Sequence, residues 1–247
     1  MKAVSKFRNV LTSVIATVVV GLSVQGYAAD SANTTTPSSE WKEIGDAPGI
    51  GAIAAVPGLL FGATSDGNFL VTESGTTPLV WRKIARCPSI ESMTSLDGKL
   101  YAHVGPGDFY IRDATDSSDA FKRIGHAWVV KSLAAHDGKI YGAIGAMYAD
   151  TFAKQIMVRD ASASDAPWNT MKTTGGAAVP PGVGKVTALD GKFFASDGSK
   201  LYVGDPVAAD VAWKEIGTAP DITSLASADG KLYAVAKGEK IVVRAAK

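Results

Sequence analysis

An Asp-Gly-Lys turn followed by aliphatic and aromatic residues is written four times in this chain, at 97–101, 137–141, 190–194 and 229–233. A worn copy, Pro-Gly-Leu-Leu-Phe, stands at 57–61. An Asp-Gly pair ahead of such a run is the local signature of a tight hairpin leading into a strand. Its recurrence constrains the fold before anything else does, because it means that one supersecondary unit is repeated.

Three further strand-like phrases keep step with it. One begins at Trp41, Trp81, Phe121, Trp168 and Trp213, starts that lie 40, 40, 47 and 45 residues apart, and sets two polar residues between apolar ends. Another follows each turn phrase, at 69–71, 109–112, 156–159, 201–203 and 241–244; a last one precedes it, at 53–56, 93–96, 133–135, 186–188 and 225–227. Four short strands in about 40 residues is the period of a propeller blade. Counting back from each turn, apolar residues recur seven and four places earlier, while the places two, three and five earlier are mostly Ala, Ser or Thr. Side chains that small suit the strand crowded round a central axis, so this set is placed innermost and the Trp set outermost.

The ends give the blade count. The phrase at Trp41 has no inner strands before it, and 241–244 has no outer strand after it. The chain is therefore expected to be all-β, a five-bladed β-propeller of four-stranded blades, with the N-terminal strand joining the last blade to close the ring and leave no open sheet edge.

The period, the Asp-Gly-Lys-Leu-Tyr-Ala phrase at 229–234 and the outer Trp residues resemble five-bladed propellers of the tachylectin-2 type. That resemblance spans 41–247 and implies a sugar-binding lectin with one pocket per blade. The regular Gly-His and Trp-Asp pairs of WD40 repeats and the double glycines of kelch repeats are not present at each unit.

Residues 1–28 read as a secretory signal peptide, with Lys2, Lys6 and Arg8 ahead of an apolar run and Gly26-Tyr27-Ala28 at its end. The hydroxyl-bearing run is short for a membrane anchor. Residues 29–40, rich in Ser, Thr, Asn and Ala, read as a flexible linker, and 41–247 as the propeller. Without the first segment, 22 Lys and Arg face 24 Asp and Glu, a net charge near −2. No basic excess remains to bind nucleic acid, and no second apolar run would insert into a membrane. A periplasmic or secreted location follows. Cys87 is the one cysteine, which excludes an internal disulfide. It reads as an inert loop thiol, with a Cys87–His126 nucleophile pair as the alternative.

Departures from the repeat point to a binding face. Connections from second to third strand, and from outer strand to the next inner strand, emerge on one face, the top; the other connections emerge on the bottom. Two long insertions, 144–155 and 172–184, fall on the top of blades three and four. Trp128, Tyr148 and Phe152 are aromatics outside the repeat positions, with His126, Asp150 and Lys154 as polar neighbours. Together they are the candidate ligand-binding residues, suited to stack on a sugar ring or anchor a protein surface. The alternative is that Tyr148 and Phe152 pack their own loop. The repeat aromatics Phe61, Tyr101, Tyr141, Phe194 and Tyr233 are expected to fill the core.

Catalytic chemistry is thin. A glycosidase needs two carboxylates near one another, whereas the inner-strand segments offer Glu91 with Lys131 and Lys185. His103, His126 and Asp108 could approach one another, but three unclustered histidines make no metal motif, and no cofactor is expected. The sequence thus points to a non-enzymatic binding module for a glycan or a protein surface. An envelope scaffold, or an enzyme using the same face, is the alternative.

Overall fold

The computed structural model describes residues 40–105, 107–116, 120–127, 130–144, 156–171, 183–205 and 213–246. All of these belong to a compact unit, Thr36–Lys247. The first strand is β1 (Lys42–Asp46). Blade one follows as β2 (Ile50–Val56), β3 (Leu59–Thr64), β4 (Asn68–Glu73) and β5 (Arg82–Arg86). Blade two is β6 (Ile90–Leu96), β7 (Lys99–Val104), β8 (Asp108–Asp113) and β9 (Lys122–His126). Blade three is β10 (Val130–His136), β11 (Lys139–Ile144), β12 (Ile156–Asp160) and β13 (Asn169–Thr170). Blade four is β14 (Lys185–Leu189), β15 (Lys192–Ser196), β16 (Lys200–Gly204) and β17 (Lys214–Thr218), and β18 (Ile222–Ala228), β19 (Lys231–Ala236) and β20 (Lys240–Ala245) complete the chain.

Each blade is a four-stranded antiparallel sheet in chain order, and the last takes β1 as its outer strand, in the order β18-β19-β20-β1. The fold is the expected five-bladed propeller with its ring closed by the first strand. Lys42 pairs with Val243 and Asp46 with Lys240 along the closing ladder. The Lys240 ammonium lies 2.8 Å from Asp46 and 3.0 Å from Glu43, and hydrogen bonds to these two carboxylates hold its pKa above the usual lysine range.

The repeated turn works as its residues require. Asp97, Asp137, Asp190 and Asp229 all have φ near +50°, and the glycine after each has φ between 69° and 74°. Two successive positive φ values define the type I′ hairpin turn, whose twist matches that of the strands. Blade one cannot follow, because the ring of Pro57 confines φ to negative values. Only Gly58 there is left-handed, at 79°.

The core lies in five seams between adjacent blades. One buried cluster joins blade one to blade two through Phe61, Phe69, Met93 and Leu100; another joins blade two to blade three through Tyr101, Phe109, Leu133 and Ile140. The remaining three seams are filled in the same way. The second strands sit between two neighbours, so β7 and β19 are buried on both faces after their first residue. The five repeat aromatics are all buried. Removing a side chain of that size from water contributes roughly 1.5–3 kcal/mol. Inner strands begin three residues before the run read from sequence, at Ile50, Ile90 and Ile222, because a β-bulge follows the first residue of each and hides the alternation. Among the described residues no helix is long and apolar enough to cross a membrane.

Candidate functional site

The inner strands pass round the axis with small residues inward, and serines link several of them. Ser224 Oγ accepts from Ile53 N at 3.0 Å, Ser92 Oγ from Leu133 N at 2.9 Å and Ser132 Oγ from Val186 N at 2.9 Å, each across a seam. Lower down, Ser95 Oγ donates to Ala55 O, and Ser227 Oγ to Ala188 O at 2.7 Å. At this level the axial cavity is about 20 Å³, lined by Ala, Ser, Thr and Met93. That is room for about one water, so the axis offers a ligand its mouth rather than its interior.

The top mouth is charged on one side. A bulge exposes one extra residue near the start of the inner strands: Gly51 in blade one, Glu91 in blade two, Lys131 in blade three and Thr223 in blade five. In blade four the inner strand opens with Lys185. Bulges aim side chains out of the ladder, and here Glu91 Oε2 lies 3.6 Å from Lys131 Nζ and 3.8 Å from His103 Nδ1. His103 is 3% exposed, and neither of its ring nitrogens has a hydrogen-bond partner. Burial lowers its pKa, Lys131 lowers it further, and Glu91 and Asp108 oppose the shift. His103 is therefore a neutral imidazole at neutral pH. Burial also lowers the pKa of Lys185, with repulsion from Lys131 adding and Glu91 opposing. Four titratable groups on three adjacent blades thus sense one another at the mouth.

Of the six candidate ligand-binding residues, His126 is described, while Trp128, Tyr148, Asp150, Phe152 and Lys154 lie outside the described residues. His126 ends β9, beside Asp108 in the ladder, with its Nδ1 3.5 Å from the Asp108 carboxylate. Arg123 lies between them, its Nε 2.7 Å from Asp108 Oδ1 and its Nη2 2.6 Å from His126 Nε2. Asp108 and His126 therefore meet, but round a guanidinium, and His103 faces Glu91 instead. Among the described residues no group of three His, Cys, Asp or Glu could hold a metal.

Cys87 occupies a slot that Ala47, Ala127 and Ala219 fill in other blades. At all four the backbone N–H donates to a carbonyl of the adjacent top loop, at 2.6–3.0 Å. Burial raises its thiol pKa, the opposite of what a nucleophile needs.

Glu91, Lys131 and Lys185 are visible in the sequence as inner-strand charges, yet their convergence is not. The available signal was a charged residue beside the small residues of the inner phrase in three successive units.

No family model matches this chain, and no curated protein is significantly similar to it. Many solved structures share its fold. Glutaminyl cyclase of Myxococcus xanthus is 12% identical with a TM-score of 0.56, over 84% of this chain and 96% of that one. A Thermus thermophilus protein, described by analogy as an oxidoreductase (glucose dehydrogenase), is 11% identical with a TM-score of 0.52, over 83% of this chain and 99% of that one. BamB of Moraxella catarrhalis is 14% identical with a TM-score of 0.43, over 77% of this chain and 55% of that one, so this chain spans about half of BamB. At such identities the likeness is one of fold, and the fold carries no function with it. What the structure establishes is a β-propeller, built from repeated four-stranded blades.

Proposed function

We propose that this chain is an exported binding module, not an enzyme, which recognises a glycan or a protein surface through its top face on the side of blades three and four. The observation that carries the reading is the convergence of Glu91, His103, Lys131 and Lys185 at the mouth. Two ammonium groups and a carboxylate offer donors and acceptors to hydroxyls, carboxylates or backbone amides, with the His103 imidazole buried beside Glu91. In the sequence, the insertion 144–155 carries Tyr148 and Phe152 and the loop entering blade three carries Trp128, aromatic side chains suited to a sugar ring or an apolar partner side chain. His126, Asp150 and Lys154 supply the polar rim. The tachylectin-2 resemblance favours the glycan.

Hydrolysis of a glycosidic bond is disfavoured because, among the described residues, the inner strands bring Glu91 to the mouth where two carboxylates are needed. The alternative with an observation behind it is an enzyme using the amine of Lys185, since a lysine whose pKa is lowered by burial is the kind that attacks carbonyl groups.

A glycan-array screen of the protein beside its Lys131→Ala/Lys185→Ala and Trp128→Ala/Tyr148→Ala variants tests the proposal. Selective binding that is lost in both folded variants supports a lectin with its site on this face. Binding that survives both double substitutions overturns the location. If no glycan binds, capture from an envelope extract by the parent and not by the variants supports the protein-surface form. Turnover that vanishes in Lys185→Gln while binding persists would favour the enzyme.

A further inference from the structure

The repeat is broken a second time, on the bottom face, and the broken positions share one wall. The second strand of blades two to five opens with Lys99, Lys139, Lys192 and Lys231, but that of blade one opens with Leu59. Two residues on, blades two, three and five carry Tyr101, Tyr141 and Tyr233, whereas blade one carries Phe61 and blade four Phe194; the residue before the outer aromatic, Glu40, Ala120, Pro167 or Ala212 elsewhere, is Val80. These changes line a cleft of about 570 Å³ between blades one and two, floored by Leu59, Phe61, Val71 and Ile84 and walled by Ala114. Val80 on its rim is 75% exposed, the one large hydrophobic so exposed among the described residues.

The next seam carries a bridge that this one lacks. There, Tyr101 Oη donates to Ala161 O at 3.4 Å and bridges the two blades. Phe61 has no hydroxyl to give the equivalent Ala114. In blades two and three the lysine that opens the second strand also faces an acid on the third, Lys99 facing Asp113 and Lys139 facing Asp160; in blade one Leu59 faces Glu73, and in blade five Lys231 faces Ala245. Glu73 is left at the rim beside Arg82, and neither forms an ion pair among the described residues. One acid and one base on the same wall cancel, so the rim favours an occupant without net charge.

We propose that this cleft is a second ligand site, separate from the top face, that takes one small apolar molecule of zero net charge. Its volume falls within the range of single-ligand pockets, and its exposed lining is mainly apolar, with Thr72, Thr76, Thr115, Glu73 and Arg82 as the polar groups that could orient an occupant.

The test is a fluorescence titration of the purified protein with the neutral probe N-phenylnaphthylamine, beside the sulfonated anilinonaphthalene probe. One saturable site for the neutral probe, with weaker binding of the anionic one, is expected. The Leu59→Lys/Phe61→Tyr variant installs the residues that blades two, three and five carry, so it should fold with an undiminished melting temperature and bind at least about tenfold more weakly. Val80→Asp, a change at an exposed position, should weaken binding in the same direction. Tighter binding of the anionic probe, affinity unchanged in both variants, or no saturable signal, which would leave the cleft to a polypeptide, each overturns the proposal. Lys131→Ala/Lys185→Ala should leave the titration unchanged, which separates this site from the top face.

Discussion

The seam between blades two and three and the seam between blades one and two are built on one aromatic frame and differ in the side chains that bridge them, Ser92, Tyr101 and Trp168 in the first and Ser95 in the second. In the first, Tyr101 stacks on Phe109 at 6.1 Å, Trp168 meets Phe109 edge-on at 5.5 Å, and the Arg159 guanidinium lies 4.8 Å over Phe109. In the second, Phe61 stacks on Phe69 at 5.7 Å, Phe121 meets it edge-on at 5.1 Å, and Arg112 lies 4.9 Å over Phe69. Cation–π and edge-on contacts of this kind are conserved between the seams while hydrogen bonds are not. Ser92 accepts from Leu133 N, Tyr101 donates to Ala161 O, and Trp168 Nε1 donates to His126 O at 2.7 Å. Ala52, Phe61 and Phe121 stand at the corresponding places and can do none of this. The frame is common to both seams, and the polar bridges across them are not.

The largest effect should come from removing an outer strand altogether. Deleting 30–39 should be nearly neutral in thermal melts. Deleting 30–45 takes away most of β1, the Trp41 Nε1 bond to Thr218 O at 3.0 Å and the closing ladder, and should cause a large loss of melting temperature. Equal melting of the two truncations would rule out the closure.

Removing the bridges of the seam between blades two and three comes next. Ser92→Ala, Tyr101→Phe and Trp168→Phe together should lower unfolding free energy by about 3 kcal/mol, roughly 1 kcal/mol for each hydrogen bond lost, measured by denaturant unfolding. A change of a few tenths would mean that the aromatic frame alone carries the seam.

The two blades should also differ in acid. His103 occupies the register that Ala63 holds in blade one. Its folded pKa lies below the unfolded value near 6.5, so the unfolded chain binds more protons and stability falls as pH drops below about 6.5, until the lowered pKa is passed. The carboxyls of Asp66, Asp160 and Asp197 are held below their usual range and titrate lower still. Melting temperatures measured from about pH 7.5 down to about pH 5 check the assignment: they should fall in the parent and stay flatter in His103→Ala. The smallest effect belongs to Cys87→Ala, which places in blade two the residue that three other blades already use; its melting temperature should be unchanged.

The period and the turn phrase made the propeller legible, because an Asp-Gly pair requires a particular backbone and its spacing counts blades. Ring closure was legible from the unmatched strand at each end. The seams were not. Partners such as Ser92 and Leu133 lie some 40 residues apart, and only the register across blades brings them together. The worn phrase at 57–61 was visible as a departure, yet what it opened depended on Ala114 and Val80 from elsewhere in the chain. The charged mouth was legible as residues and not as a site, since the bulges that aim Glu91 and Lys131 have no signature of their own. Of the aromatic and polar loop residues proposed for the top face, only His126 falls within the described structure.

The most direct measurement is the reciprocal exchange at one repeat position: denaturant unfolding of Tyr101→Phe and of Phe61→Tyr. Tyr101→Phe should lose about 1 kcal/mol, because it removes the bridge to Ala161. Phe61→Tyr should lose nothing or gain, because it supplies the missing bridge to Ala114. Equal losses in both variants would contradict the view that these seams differ by their polar atoms and that the open one is a site made by breaking the repeat.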